Sequence, residues 1–226
     1  HLAMLLRDKL EKQKTVQTTL DDKLQRRLEE ALPLYLKQFD NQITNGAIMV
    51  VNTQTGEAPA RVASADFNND VIHGQVDICT AVRAPGSTLK PFVYALAMER
   101  NRLYPTEILL DNPLDFGVYN PGNFNGKFNG MVSAGEALRW SLNVPAIQAQ
   151  ERAGVEETRS FLKNLGLDTL NRSAEAYGLG LVLGNCEVRL ESLMEAYLTL
   201  ARLGEHRPLR LTMDQPDPTP TRVLSE

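Results

Sequence analysis

Apolar residues fall into helix-spaced stripes separated by turn-rich segments. Leu2, Leu5, Leu6 and Leu10 stand at helical spacing in an otherwise polar opening, residues 1–17, which reads as the end of an interdomain connection. Thr18-Thr19-Leu20-Asp21-Asp22 then predicts a helix start, with a capping threonine and acids in the first turn. Its apolar stripe is Leu20, Leu24, Leu28, Ala31, Leu32, Tyr35, Leu36 and Phe39, and Pro33 is expected to kink or end it. Asn45-Gly46 marks a turn, and the runs Ala47–Val51 and Ala60–Ser64 predict an antiparallel hairpin. Near the other end, Leu190, Leu193, Met194, Tyr197, Leu198 and Ala201 form the stripe of a helix over about 188–203, with Gly204 after it.

Between them lies the stretch Arg83–Arg100. From Leu89 to Met98 nearly every residue is apolar, Lys90 being the one charge. A helix apolar on all sides belongs in a domain interior. Pro85-Gly86 sets a turn before it, so Ser87 is expected at the helix's N-terminal end, where free N–H groups and the dipole favour an oxyanion. Ser87 and Lys90, three residues apart, then share a face. Burial lowers a lysine's pKa, so Lys90 in its neutral form can take the proton of Ser87 and make it a nucleophile. A structural serine is the alternative: Ser-x-x-Lys arises by chance about once in a chain of this size. It recurs at Ser160 and Lys163, where Ser160 is predicted to face water because it lies opposite Leu162 on an amphipathic helix.

Composition narrows the classes. With 226 residues, 42% hydrophobic and 23% charged, the chain can bury a sizeable core. A net charge of −4 without a basic cluster gives no footprint for nucleic acid. No apolar run reaches membrane-spanning length and no signal peptide is visible; the opening on His1 leaves room for an export or anchor segment upstream. Cys79 and Cys186 match no zinc motif and read as buried thiols, and His1, His73 and His206 are scattered, so no metal or cofactor is expected.

The segment Asp111–Gly130 is dense in Asn, Pro, Gly and aromatics, either a functional loop or a surface excursion. Ser133-Ala134-Gly135-Glu136 is a capping box opening a short helix to Trp140. Pro145 is expected at the first position of the next helix, which Gly154 closes. Ser141 and Asn143 would then lie in a tight loop between two helices, where polar side chains can point into a cleft. Gly178–Gly184 lacks dinucleotide-binding spacing and reads as a loop or turn.

Ser-x-x-Lys at Ser87 and Lys90, followed by Ser-x-Asn at Ser141 and Asn143, resembles the penicilloyl serine transferases, the penicillin-binding proteins and serine β-lactamases. Pro85-Gly86-Ser87-Thr88-Leu89-Lys90-Pro91-Phe92 is similar to the active-serine segment of bifunctional class A penicillin-binding proteins. So are Thr18–Asp21 and Gly46–Val51 with Thr55-Gly56-Glu57. Ser64–Phe67, Gly74–Asp77 and Tyr119–Phe124 resemble the 1C-type members most.

The resemblance implies an α+β, penicillin-binding-protein transpeptidase and serine β-lactamase-like fold. It would have a helix-rich part with an incomplete antiparallel sheet, residues 18–226 being the N-terminal portion and later strands missing. It implies a peptidoglycan D,D-transpeptidase: Ser87 the nucleophile, Lys90 the base, Ser141 a proton relay to the leaving group, Asn143 holding Lys90 and the substrate amide. Partners would be stem peptides ending in D-Ala-D-Ala, with β-lactams as mimics. The setting would be the periplasm or the outer face of the bacterial cytoplasmic membrane, in a protein carrying a membrane anchor and a glycosyltransferase domain. No Lys-Thr-Gly or Lys-Ser-Gly, the family's third motif, occurs in these residues, so little activity is expected of the chain alone. A β-lactamase or D,D-carboxypeptidase, and a non-catalytic penicillin-binding sensor module, are the alternatives.

Overall fold

The structure, a computed structural model, describes residues 1–40, 42–113, 122–123 and 126–225. The chain folds into two compact units, one comprising His1–Val82 with Arg189–Leu224, the other Arg83–Val188. Among the described residues no helix is long and apolar enough to cross a membrane.

The first unit opens with α1 (Leu2–Leu5) and α2 (Arg7–Gln13), neither of which buries a residue. Helix α3 runs from Asp22 to Leu36. Its cap is Asp21 rather than a threonine: the Asp21 carboxylate accepts the Leu24 N–H at 2.8 Å, while the Thr19 hydroxyl donates to the Ala58 carbonyl. Pro33 does not end the helix, which passes into a 3-10 turn (Lys37–Phe39) only after Leu36. Leu32 and Leu36 flank the proline and are both buried in one cluster with Val62, against which Leu28, Phe39 and Ile48 pack. That packing holds the backbone across the one intrahelical hydrogen bond a proline removes. Ala31 and Tyr35 lie outside the stripe, exposed.

Strands β1 (Ile48–Val50) and β2 (Ala60–Val62) pair antiparallel, Ile48 opposite Val62 and Val50 opposite Ala60. The Gln25 side chain, reaching from α3, accepts the Arg61 N–H at 2.8 Å and donates to the Arg61 carbonyl at 3.2 Å, so a side-chain amide completes the strand's outer edge. On either side of it the Asp21 N–H meets the Pro59 carbonyl and the Ile78 N–H meets that of Ala63.

The Arg61 guanidinium is fully buried. Its Nη2 donates to both oxygens of Asp77, at 2.9 and 2.8 Å, and its Nε to Glu191 at 2.6 Å. Beside it Cys79 is buried, and burial pushes its thiol up to about 12. Both cysteines are buried free thiols, as expected.

The second unit begins with a 3-10 turn (Gly86–Leu89) leading into α4 (Lys90–Glu99). Leu89, Lys90, Phe92, Val93, Tyr94, Leu96 and Ala97 are buried, while Pro91, Ala95 and Met98, which share one face of α4, are half-buried. The burial expected on all sides is thus met on all but that face. Strands β3 (Ile108–Asp111) and β4 (Gly130–Ser133) form an antiparallel pair with no counterpart among the strands expected from the sequence pattern. Residues 114–121 and 124–125 of the segment between them, with most of the Tyr119–Phe124 match, lie outside the described residues.

Helix α5 (Ala134–Arg139) starts at the predicted capping box, Ser133 and Glu136 each bonding back to the other. Helix α6 (Asn143–Ala153) starts two residues before Pro145, so the proline is its third residue, and Gly154 closes it. Helices α7 (Val155–Asn164) and α8 (Ala174–Tyr177) follow. Ser160 on α7 is exposed and donates to Glu156, so the second Ser-x-x-Lys faces water as predicted. Gly178–Leu183 is a 3-10 helix that buries Leu181 and Val182, not a plain loop. It and α4 both pack on α6, making α6 the central rod of this unit.

The chain leaves the second unit through a two-bond bridge between Arg83 and Val188, both at 2.9 Å. It returns to the first through α9 (Leu190–Ala201), then β5 (Glu205–His206) and β6 (Thr221–Arg222), which pair.

Candidate active site

The site lies in the second unit, where the 3-10 turn before α4 meets the junction of α5 and α6. Ser87 sits in that turn rather than in the first turn of an α-helix. The Lys90 N–H donates to its carbonyl, and its side chain is exposed, with no hydrogen bond among the described residues. The turn is held from behind. Gly184, at φ +85°, ends the 178–183 helix so close to Gly86 that an added Cβ would stand 2.2 Å from the Gly86 nitrogen. Only glycine fits that approach and that backbone angle. The glycine-rich run, which by its spacing alone is a neutral turn, is therefore part of the wall behind Ser87.

Lys90 is 1% exposed. Its Nζ donates to the Ser141 carbonyl at 2.6 Å, the Ser141 hydroxyl at 3.1 Å and the Asn143 Oδ1 at 2.7 Å. All three N–H bonds of an ammonium are thus used, each on a neutral oxygen. Burial pulls Lys90 down to about 8 from the usual lysine value.

Ser141 takes a positive φ of 54°, which turns its carbonyl and hydroxyl toward the same amine. Asn143 is the first residue of α6, not a loop residue, and the order of that helix fixes where its side chain leaves the backbone. The structure therefore brings Lys90, Ser141 and Asn143 into direct contact; Ser87 stands one turn before Lys90, exposed and without a hydrogen bond to the lysine amine among the described residues.

The polypeptide path is that of penicillin-binding-protein transpeptidase domains. It superposes on the transpeptidase domain of Burkholderia pseudomallei penicillin-binding protein 3 with a TM-score of 0.78, covering 92% of this chain and 66% of that one, at 23% identity. For PonA1 of Mycobacterium tuberculosis the TM-score is 0.80, with 99% and 64% covered, at 21% identity. At such identities these likenesses concern the fold.

The family itself follows from the sequence: residues 46–226 match the penicillin binding protein transpeptidase domain, and the chain belongs to that family. It is 39% identical over 201 residues to penicillin-binding protein 1C of Escherichia coli (strain K12), and 32% over 197 residues to penicillin-binding protein 1F of Bacillus subtilis (strain 168). These matches cover 89% and 85% of this chain but 26% of each relative, so the chain spans about a quarter of their length.

Proposed function

We propose that this chain carries the acyl-serine centre of a peptidoglycan D,D-transpeptidase. The observation that supports it most is a buried lysine held only by neutral oxygens, one turn from an exposed serine. An amine titrating near 8 is close enough to neutrality to exchange a proton with a hydroxyl under ordinary conditions.

On losing its proton, Lys90 keeps two N–H donors and gains a lone pair. The two short contacts, to the Ser141 carbonyl and Asn143 Oδ1, hold the donors, and the longer one to the Ser141 hydroxyl is the contact released. The freed lone pair serves as base for Ser87. The Ser87 Oγ forms a bond to the penultimate D-alanine carbonyl and its proton passes to Lys90. As the C–N bond breaks, the proton goes on through the Ser141 hydroxyl to the departing D-alanine amine. Asn143, held against Lys90, would also meet the substrate amide. An amine of a neighbouring stem peptide then takes the acyl group, and Ser87 recovers its proton.

A β-lactam would acylate Ser87 by the same attack. One solved relative of this fold, PonA1 of Mycobacterium tuberculosis, is known in complex with penicillin V (TM-score 0.73, 22% identity, 93% of this chain and 58% of that one). The reading carries with it work in the cell envelope, at the outer face of the cytoplasmic membrane or in the periplasm, within a longer protein that would bear an anchor and a glycosyltransferase domain.

The test is mass spectrometry after prolonged incubation with a fluorescent penicillin. A single adduct on the peptide containing Ser87, absent in Ser87→Ala, is the expected result. Acylation as slow as the lack of the third motif in these residues implies still accumulates over such an incubation. No adduct at all on the wild-type chain, or one that persists in Ser87→Ala, therefore overturns the reading. An adduct shed within seconds would make the protein a β-lactamase instead.

A further inference from the structure

Asn143 presents its oxygen, not its nitrogen, to Lys90, and something must choose that orientation. The choice can be traced outward from the amine. Asn143 Nδ2 donates to the Gly122 carbonyl at 2.7 Å, an acceptor only, which leaves Oδ1 for the ammonium. The Asn143 backbone N–H, one of the orphan donors at the start of α6, goes to Asn123 Oδ1 at 2.8 Å. Asn123 in turn has its Nδ2 on Asp111, at 2.8 and 2.9 Å from the two carboxylate oxygens, and on the Lys127 carbonyl at 2.9 Å.

Asp111 is fully buried at the end of β3 and accepts two further bonds, from the Asn129 N–H at 2.9 Å and Asn129 Nδ2 at 2.7 Å. A carboxylate so placed takes only donors, so it dictates which end of the Asn123 amide faces it. Asn123, 8% exposed, then offers α6 its oxygen. Strand β3 is tied to α6 a second time, by the Gln148 side chain on both backbone groups of Leu110.

We propose that Asp111 and Asn123 are positioning residues of the Lys90 site: anchored on Asp111, Asn123 fixes the Asn143 backbone and the adjoining Gly122, whose carbonyl takes the Asn143 amide nitrogen and so leaves its oxygen to the lysine. This rests on the reading of Lys90 as the catalytic base. It also gives Gly122, Asn123 and Asn129 a role in setting the second motif. Neither residue touches the reacting atoms.

The experiment reads Lys90 directly, as the titration of its side chain by NMR on chain labelled with ¹³Cε-lysine, without substrate. The acceptor on Asn143 favours the charged amine, so its loss lowers the titration midpoint. Asn143→Ala gives the reference, a fall of about one pH unit from the wild-type value near 8. Asn123→Ala is expected to fall by the same amount, and the double variant Asn123→Ala/Asn143→Ala no further.

Asp111→Asn, which keeps the shape, puts donor against donor at Asn123, flips that amide and lowers Lys90 likewise. The exchange Asp111→Asn/Asn123→Asp again pairs a donor at 111 with an acceptor at 123, so the Asn143 N–H regains an oxygen, now a carboxylate's, and the midpoint comes back to within about 0.3 units. A role confined to folding would lower the melting temperature and leave Lys90 titrating where it does in the wild type. That outcome in Asn123→Ala and Asp111→Asn overturns the proposal, as does an unshifted Asn143→Ala. If Asn123→Ala fails to fold, Asp111→Asn and the exchange decide. Because no acylation is measured, an enzyme that never reacts with penicillin would defeat the functional reading and still leave this test intact.

Discussion

Arg61 and Lys90 are both buried cations, and the two units treat them in opposite ways. Arg61 in the first unit faces two carboxylates, Asp77 and Glu191, through three hydrogen bonds. Lys90 in the second faces no carboxylate in its three, only a carbonyl, a hydroxyl and an amide oxygen. A guanidinium paired with carboxylates stays charged at any pH the fold survives, and it fixes β2 to α9 and to the turn at Asp77. An ammonium held by neutral dipoles is solvated just well enough to exist and poorly enough to let its proton go. The lack of a carboxylate among those three acceptors is the part of the site that makes it chemistry rather than architecture.

The sharpest way to break this contrast is to remove each cation. Lys90→Met is expected to slow β-lactam acylation by about 10²–10⁴-fold, while thermal unfolding at pH 7 moves by a few degrees at most. Arg61→Ala strands Asp77 and Glu191 and should lower stability by about 3–5 kcal/mol with Lys90 still titrating near 8. Denaturant melts beside a penicillin-binding time course read both; a stable Arg61→Ala, or an unfolded Lys90→Met, would erase the distinction.

The next effect is in pH. The Lys90 pKa is depressed by burial, from 10.5 to about 8. Between these values the unfolded chain holds a proton that the native one has lost, so stability rises with pH across that window. Below about 8 both states are charged and the contribution is flat. The wild type should gain on the order of 2–3 kcal/mol relative to Lys90→Met between pH 8 and 10.5. Equal slopes in the two proteins would mean that Lys90 is not held in the way described. Arg61 adds no such slope.

Smallest is Gly184→Ala, which presses a Cβ against the Gly86 backbone at a positive φ. It should cost about 1–2 kcal/mol and slow acylation roughly tenfold by shifting the Ser87 turn. Lys90, anchored from α6, should keep its titration.

Much of the second unit is legible in the sequence because its signals are local. The Pro85-Gly86 turn, the apolar run after Lys90 and the Ser133–Glu136 box each act within a few residues, and each is seen in the structure. Boundaries fail where distant packing decides. Pro33 stays inside α3 because Leu32 and Leu36 are gripped by Val62, and α6 reaches back to Asn143 because Asn123 caps it. Arg61 is invisible for the same reason, since nothing in Ala-Arg-Val says that Asp77 and Glu191 converge on it. Gly184 and Asp111 escape notice because their partners, Gly86 and Asn123, lie far along the chain or within a segment lacking any regular period.

The Gln25 amide on Arg61 has an effect beyond its two hydrogen bonds. With Asp21 and Ile78 it leaves the outward groups of Pro59, Arg61 and the Ala63 carbonyl already spoken for, so another polypeptide finds no ladder to join on that flank. An unpaired strand edge is ordinarily an invitation to aggregate, and here Gln25 on a neighbouring helix, with Asp21 and Ile78, withdraws it. On the β2 flank the sheet is closed to a third strand.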